Sequence, residues 1–325
     1  MRAVIIPETG DSKVLRLSDN TPKPAAGPTE VLVKLEYAGV NFIDVYQRTG
    51  LYKLELPVIA GREGAGRIEE IGSDVPAEYD LHVGDAVAVF AQGAYAEYIA
   101  VAASGVMKLP PNVPVKDGAA LMLQGLTAWT MVKDAHEVKP GEQILIQAAA
   151  GGTGGLLVQM AKHLGATVIG TVSSEEKAAV AFGHGADYVI NYTQSNVLEE
   201  VMKITNGAGC HAVLSGIGKA TFADDLACTR RKGTFVTYGN SSGAVEGFRP
   251  LELSKKNVKL VRPTLGNYIT EREEFVTRSQ EMLDLVSRGI LKVAYGKEYD
   301  MNSIGRAQDD LAGKQTTGKL IVKIQ

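Results

Sequence analysis

The chain has 325 residues, enough for two domains with hydrophobic cores of their own. Hydrophobic residues make up 45% and charged residues 22%, and the formal net charge of −3 gives no global electrostatic reason to bind nucleic acid or an anionic membrane. No apolar run approaches the length of a membrane span, and the N-terminus leads directly into a strand pattern without a signal-peptide core. Together with two cysteines in predicted secondary structure, Cys210 and Cys228, this predicts a cytoplasmic protein with reduced thiols.

The first 120 or so residues are predicted to be rich in short strands. Apolar and polar residues alternate from Val31 to Tyr37, Ala86 to Phe90 is strongly apolar, and glycine or proline clusters separate such runs. This pattern is typical of a small, irregular β-barrel.

From about residue 123 to 263 the pattern changes to alternating strands and helices. Strands are predicted near 143–147, 167–172, 187–190, 210–214, 233–238 and 258–261, and helices over 154–164, 175–183, 196–205 and 220–229. Such alternation is typical of a doubly wound parallel sheet, so the fold class is α/β. After Pro263 the chain has one further helix, predicted over 271–288, and a closing strand over 319–324.

The glycine-rich segment from Ala148 to Gly155 is the most informative stretch. It follows a predicted buried strand and opens a helix with apolar residues at three- and four-residue spacing. Glycines allow a sharp turn and close approach of the backbone to a pyrophosphate, and the helix N-terminus offers free N–H groups to the phosphates. This context favours a dinucleotide site over an ordinary strand-to-helix turn.

The tip of the second strand of this unit bears on which dinucleotide binds. NAD-specific sites usually place an Asp or Glu there, whereas this strand ends in Val172-Ser173-Ser174. Glu175 and Glu176 fall in the first turn of the next helix, where they suit the helix dipole. Hydroxyl groups with the nearby Lys177 suit a 2′-phosphate, which favours NADPH over NADH, although Lys177 could equally be a solvated helix lysine.

At this point the chain resembles a zinc-free medium-chain dehydrogenase/reductase, and within that group the NADPH:quinone oxidoreductase (ζ-crystallin-like) family. The resemblance covers nearly the whole chain and is carried by the segments 38–46, 61–66, 84–87, 93–98, 125–128, 148–154, 187–192 and 238–243. It implies a GroES-like catalytic domain built from residues 1–123 and 264–325, a Rossmann NADPH-binding domain at 124–263, and an active-site cleft between them.

The resemblance implies catalytic roles for Asn41 and Tyr46. We expect both to orient a quinone and to stabilise the oxyanion character that develops on hydride transfer, with protons arriving through water. Without the resemblance, a turn role for Asn41 and a wall role for Tyr46 would be the simpler interpretations. Tyr52 and Gln124 are further candidates for lining the quinone pocket; Gln124 stands where some relatives have lysine.

Contacts to the cofactor are implied residue by residue. Thr127, Asn41, Tyr238 and Ser241 are assigned to the nicotinamide side, Gly151, Gly152 and Thr153 to the pyrophosphate, and Ser173, Lys177 and Tyr192 to the 2′-phosphate. Leu265 lies in the return to the catalytic domain, and Lys314 falls where close relatives have an arginine that reaches the 2′-phosphate.

No metal is expected. Zinc-dependent relatives carry a cysteine where this chain has Asn41, a histidine where it has Arg62, and a four-cysteine lobe that this chain lacks. The five histidines are scattered without metal-ligand spacing.

Other functions stay open. An NADPH-dependent reductase of alkenals or enones would use nearly the same hydride chemistry. RNA binding, a secondary behaviour of ζ-crystallin-like proteins, would have to use the basic stretches 230–232 and 255–256, for which solvated surface charge is the simpler interpretation. A structural, crystallin-like role is a further alternative. Because the apolar strand at 258–261 is predicted at a sheet edge, we expect a homodimer joined through the Rossmann domains.

Overall fold

The computed structural model describes residues 1–325, and the chain separates into two compact units. The first unit comprises 1–126, 269–289 and 293–325, and the second comprises 127–268 and 290–292. In chain order the strands are β1 (Ala3–Ile6), β2 (Arg16–Ser18), β3 (Glu30–Val40), β4 (Val58–Ile59), β5 (Glu63–Ile71), β6 (Ala86–Phe90), β7 (Tyr98–Ala102), β8 (Val106–Lys108), β9 (Gln143–Ile146), β10 (Thr167–Val172), β11 (Tyr188–Asn191), β12 (Cys210–Ser215), β13 (Thr229–Thr237), β14 (Lys259–Val261), β15 (Tyr295–Asp300) and β16 (Lys319–Lys323). The helices are α1 (Phe42–Arg48), α2 (Val115–Leu121), α3 (Gln124–Thr130), α4 (Gly152–His163), α5 (Glu175–Gly183), α6 (Val197–Ile204), α7 (Phe222–Cys228), α8 (Arg272–Ser287) and α9 (Ile304–Ala312).

The first unit is the irregular, mostly antiparallel β-structure that the sequence predicts. Its larger sheet has the order β15-β16-β3-β5-β6-β8, with β7 also paired to β3, and a second sheet has the order β2-β1-β4. The last strand of the chain, β16, pairs antiparallel with β3, so that Leu320 lies opposite Val40. This pairing brings the C-terminal strand beside the end of β3, where α1 begins.

The second unit is a six-stranded parallel sheet in the order β11-β10-β9-β12-β13-β14. In sequence order this is 3-2-1-4-5-6, the doubly wound arrangement that binds dinucleotides where the strand order reverses. Inward-facing residues of the central strands, among them Leu145, Ile169 and Val213, are fully buried in one apolar core. The α/β fold class is therefore confirmed.

The predicted elements differ from the observed ones mainly at their ends. The helix predicted from residue 154 begins at Gly152, because the glycine-rich turn is already helical there. The helix predicted over 220–229 ends at Cys228, and β13 begins at once with Thr229, opposite Cys210. None of the helices combines the length and the apolar character needed to cross a membrane.

Candidate functional site

Asn41 lies in the first unit at the junction between β3 and α1. Its backbone is extended, with φ −139°, and it caps the helix that follows. The Asn41 N–H donates to Asp44 Oδ2 at 2.8 Å, and the Asp44 N–H donates to the Asn41 carbonyl at 3.1 Å. These reciprocal bonds hold the turn in one conformation, which fixes where the Asn41 side chain lies.

The Asn41 amide is enclosed by polar partners and is only 1% exposed. Its Nδ2 donates to Glu63 Oε1 at 2.8 Å and to the Gly39 carbonyl at 3.3 Å. Its Oδ1 accepts from Gln124 Nε2 at 3.0 Å and from Lys319 Nζ at 2.9 Å. The orientation of this amide is therefore set by its neighbours, and the bond to Gly39 is the longest of the four.

Lys319 and Glu63 form an ion pair that lies wholly inside the first unit. Lys319 Nζ is 2.5 Å from Glu63 Oε1, and both side chains are at most 2% exposed. The second carboxylate oxygen of Glu63 accepts from the Leu123 N–H at 2.6 Å. Burial lowers the pKa of Lys319, and the Glu63 carboxylate opposes that shift. The carboxylate therefore favours the charged form of this buried amine beside Asn41.

Asp44 and Tyr95 extend the same buried group. Tyr95 donates its hydroxyl to Asp44 Oδ2 at 2.6 Å. Burial raises the pKa of Asp44 to about 6, although the hydrogen bonds from Tyr95 and Asn41 and the charge of Lys319 act in the other direction. Burial and the nearby Asp44 carboxylate raise the pKa of Tyr95 well above its ordinary value. Tyr95 therefore stays a neutral donor at physiological pH.

Tyr46 lies in α1, one turn after the Asn41 cap, and is 8% exposed. Its ring centroid lies 5.1 Å from that of Tyr52 and 6.0 Å from that of Phe42. The Tyr52 N–H donates to the Tyr46 carbonyl at 3.0 Å, so the loop after α1 folds back onto the helix. The structure thus places Tyr46 and Tyr52 against each other, close along the chain to Asn41, with Gln124 hydrogen-bonded to Asn41 itself.

The sequence motifs alone predict no role for Glu63, Lys319, Asp44 or Tyr95. Two signals were present in the sequence: an acidic residue within Gly61-Arg62-Glu63-Gly64, and a lysine at the start of the apolar strand 319–324. A charged residue in a strand that is otherwise buried needs a partner of opposite charge. Sequence spacing alone could not show that these two residues, far apart in the chain, are partners.

The glycine-rich turn lies in the second unit, between β9 and α4. Ala148 has a positive φ of 55°, and the Gly151 N–H donates back to its carbonyl at 2.9 Å. A Cβ at Gly154 would lie 2.1 Å from the same carbonyl, so only glycine fits there. The turn leaves the first N–H groups of α4, at Gly152 and Thr153, without helical partners. This cradle suits the pyrophosphate of a dinucleotide.

A cluster of hydrogen-bonded, buried polar side chains lies next to this turn. Gln147 donates from Nε2 to Asp225 Oδ1 at 2.6 Å and accepts from Thr171 Oγ1 at 2.5 Å. The Ala148 N–H donates to Thr171 Oγ1 at 3.3 Å, which ties this group to the positive-φ residue. Burial raises the pKa of Asp225 to about 6. The sequence pattern predicts none of these roles, because it places Gln147 only as the last residue of a strand.

Ser173, Lys177 and Tyr192 gather at the carboxyl ends of β10 and β11. The parallel pairing of these strands brings the Tyr192 N–H within 3.0 Å of the Val172 carbonyl. Ser174 caps α5 by accepting from the Lys177 N–H at 3.3 Å. The side chain of Glu175 accepts from Asn191 Nδ2 at 3.2 Å, and no Asp or Glu stands at Ser173, the strand tip itself.

The other predicted cofactor residues are dispersed over several elements. Tyr238 follows β13 with its ring close to Gly216, and the Ser241 N–H donates to the Gly216 carbonyl at 3.2 Å. Leu265 begins a short 3-10 turn and is 9% exposed, and Thr127 lies in α3. Lys314 stands on an exposed turn after α9 in the first unit, whereas the three residues predicted around the 2′-phosphate lie in the second.

No group of three or more His, Cys, Asp or Glu side chains is arranged so that it could hold a metal ion. Two of the histidines pair with neighbours instead: His136 lies 2.9 Å from Glu142 and 3.0 Å from Thr234, and His211 accepts from the Gln143 N–H at 3.0 Å.

Comparisons with known proteins agree with this two-part architecture. The family model of the alcohol dehydrogenase GroES-like domain matches residues 27–111, and that of the zinc-binding dehydrogenases matches residues 152–287. A quinone oxidoreductase of Pseudomonas aeruginosa is 38% identical over 96% of both chains, and a 2-haloacrylate reductase of Burkholderia sp. is 37% identical over 91% of both. The structure of Escherichia coli quinone oxidoreductase complexed with NADPH superposes with a TM-score of 0.96, at 35% identity and full coverage of both chains. With its GroES-like and Rossmann parts, the chain belongs to the quinone oxidoreductase family of the medium-chain dehydrogenase/reductases.

Proposed function

We propose that this protein is an NADPH-dependent quinone reductase. The observation that carries the proposal is the full-length match to quinone oxidoreductases, one of them in complex with NADPH, together with a glycine cradle that a Cβ would fill. Bound NADPH supplies a hydride. The hydroxyls of Ser173 and Tyr192 and the ammonium of Lys177 are suited to its 2′-phosphate, with Lys314 as a further candidate.

Within the first unit, Tyr46 and Asn41 are the proposed donors to the acceptor oxygen. Reduction of a conjugated carbonyl places negative charge on oxygen, and donors held in place by a packed scaffold stabilise that charge. Asn41 Nδ2 can donate to the acceptor oxygen in place of its 3.3 Å bond to the Gly39 carbonyl. That carbonyl also accepts from the Tyr95 hydroxyl, at 3.2 Å. Its amide would keep its orientation, because Lys319, Gln124 and Glu63 hold the other positions. Tyr52 and Gln124 are proposed as pocket residues.

A second candidate function is reduction of a conjugated carbon–carbon double bond. It is supported by the relative named 2-haloacrylate reductase, whose identity to this chain nearly equals that of the quinone oxidoreductases. Hydride delivery and stabilisation of the oxygen would use the same residues, so the shape and charge of the acceptor pocket decide between the two.

The deciding experiment measures NADPH oxidation with 1,4-benzoquinone, 9,10-phenanthrenequinone, an enone and an enal, with NADH in parallel. Turnover with quinones and NADPH supports the proposal. Turnover with the enone or enal only would assign double-bond reduction, and a preference for NADH would overturn the roles proposed for Ser173 and Lys177.

We also propose a cytoplasmic homodimer joined at β14. This strand is the edge of the parallel sheet, and its backbone groups on one side are unpaired within the chain. Val258 and Leu260 pack into the core of the second unit, whereas Lys259 is exposed. Light scattering at micromolar concentration is expected to give twice the monomer mass; a monomer would refute this association.

RNA binding stays a weaker alternative. The two basic stretches meet in the fold, because the Lys232 N–H donates to the Lys256 carbonyl at 2.8 Å. Lys256 Nζ, however, donates to the Ala227 and Thr229 carbonyls, at 2.6 and 3.1 Å, and Arg230 contacts His211. Gel shifts at increasing salt test whether the remaining charges bind RNA.

A further inference from the structure

Burial lowers the pKa of three arginines in the first unit, and one of them differs from the others. Arg48 donates to Gln308 Oε1 at 2.7 Å and to a backbone carbonyl at 2.9 Å. Arg272 donates to three backbone carbonyls of one loop. Arg62 makes no side-chain hydrogen bond and no ion pair, and its Nε is buried without an acceptor. A buried Nε without an acceptor costs folding free energy, so the partly buried Arg62 marks a candidate binding position.

The protein groups around Arg62 accept no hydrogen bond from the N–H donors of its guanidinium. Its guanidinium carbon lies 5.0 Å from the centroid of the Phe90 ring, which covers one face of the planar group. The Asp44 carboxylate acts on it through space, opposing the effect of burial on its pKa, but forms no ion pair with it. The second oxygen of Asp44, Oδ1, is likewise buried without a partner.

The other charged groups near Asn41 already have hydrogen-bond partners within the protein. Lys319 and Glu63 neutralise each other at 2.5 Å, and Asp44 accepts from Tyr95 and from the Asn41 N–H. The Asp44 carboxylate, which acts on Arg62 through space, also accepts from the Asn41 N–H, so Arg62 and Asn41 share Asp44 as a neighbour. Arg62 is therefore the cation near Asn41 whose hydrogen-bond donors have no partner within the protein.

We propose that Arg62 is a specificity-determining residue that binds an anionic substituent, a carboxylate or a sulfonate, on the acceptor substrate. This proposal rests on the proposed reductase function and narrows its substrate class. A planar guanidinium presents parallel N–H donors to two oxygens of such a group, and the partly buried position strengthens each bond.

The test compares 1,4-naphthoquinone with 1,4-naphthoquinone-2-sulfonate. For each protein, the ratio of kcat/KM for the sulfonated to the neutral acceptor is measured, which cancels effects that both acceptors share. We expect Arg62→Gln to lower this ratio roughly 10- to 100-fold, as the loss of a charge-assisted pair implies. Arg62→Lys keeps the charge but lacks the planar pair of N–H donors. Its ratio should fall between those of the wild type and Arg62→Gln. Arg67→Gln is the matched control, because Arg67 is an exposed arginine on β5 that pairs with Glu36, and its ratio should equal that of the wild type.

A binding measurement separates this proposal from the proposed function. Calorimetric titration of the sulfonate into the NADP⁺-saturated protein should show a matching loss of affinity in Arg62→Gln. If the wild type reduces neither quinone, the reductase function fails, and the titration alone decides the role of Arg62. An unchanged ratio with unchanged affinity, or an equal loss for both acceptors, would overturn the proposal and leave Arg62 as a counter-charge to Asp44.

Discussion

At the scale of single residues, Tyr46→Phe removes the hydroxyl that is proposed to donate to the acceptor oxygen. Tyr46→Phe keeps the ring contacts with Phe42 and Tyr52. We expect quinone kcat to fall about 10- to 100-fold, because a preorganised donor to developing negative charge is lost, while NADPH affinity stays the same. Steady-state kinetics and cofactor titration measure the two effects. Tyr79→Phe, which alters a tyrosine that packs on Arg272, serves as the control; unchanged turnover in Tyr46→Phe would remove this hydroxyl from the mechanism.

Also at the residue scale, Lys319 should contribute strongly to stability. Lys319→Met leaves the Glu63 carboxylate buried without its counter-charge, so we expect the free energy of unfolding to fall by about 3–5 kcal/mol. Adding Glu63→Gln should restore part of the loss, since the uncompensated charge is then absent. Urea unfolding measures both. Lys323→Met at the exposed end of the same strand should change stability by no more than about 0.5 kcal/mol, and an equal effect of both lysine substitutions would refute the buried-pair argument.

At the scale of elements, the start of α4 depends on the absence of a side chain at Gly154. Gly154→Ala would place Cβ 2.1 Å from the Ala148 carbonyl, so the turn has to shift and the cradle of N–H groups with it. We expect at least a tenfold loss of NADPH affinity, measured by fluorescence titration. Gly183→Ala at the end of α5 meets no atom within 4 Å and should raise stability by roughly 0.5–1 kcal/mol with unchanged affinity. Equal affinities for both variants would argue against the cradle.

At the scale of the whole molecule, buried Asp44 links folding to pH. Its pKa rises from an ordinary value of 3.8 to about 6, so the folded protein holds this proton more tightly than the unfolded chain. The resulting stabilisation is present below about pH 4 and is lost as the pH rises through 6, a change of roughly 3 kcal/mol. Asp44→Asn can keep the accepted hydrogen bonds without titrating. The unfolding free energy of the wild type relative to this variant should therefore fall between pH 4 and 7.5; a constant difference would show that Asp44 does not titrate in this range.

The sequence by itself determined the order of elements, because the spacing of apolar residues depends only on neighbours in the chain. Apolar residues repeat every 2.0 residues in the early strands and every 3.6 in helices such as the one from Gly152. It also located the glycine-rich turn, since a positive φ and a close backbone approach can be met by few residue types. Which side chains become partners was decided only by the tertiary structure. Lys319 and Glu63 lie 256 residues apart in the chain, and antiparallel pairing of β3 with both β16 and β5 brings them together. The same distinction applies to Arg62: the sequence shows where it stands in the chain, but the burial of its Nε without an acceptor arises only on folding.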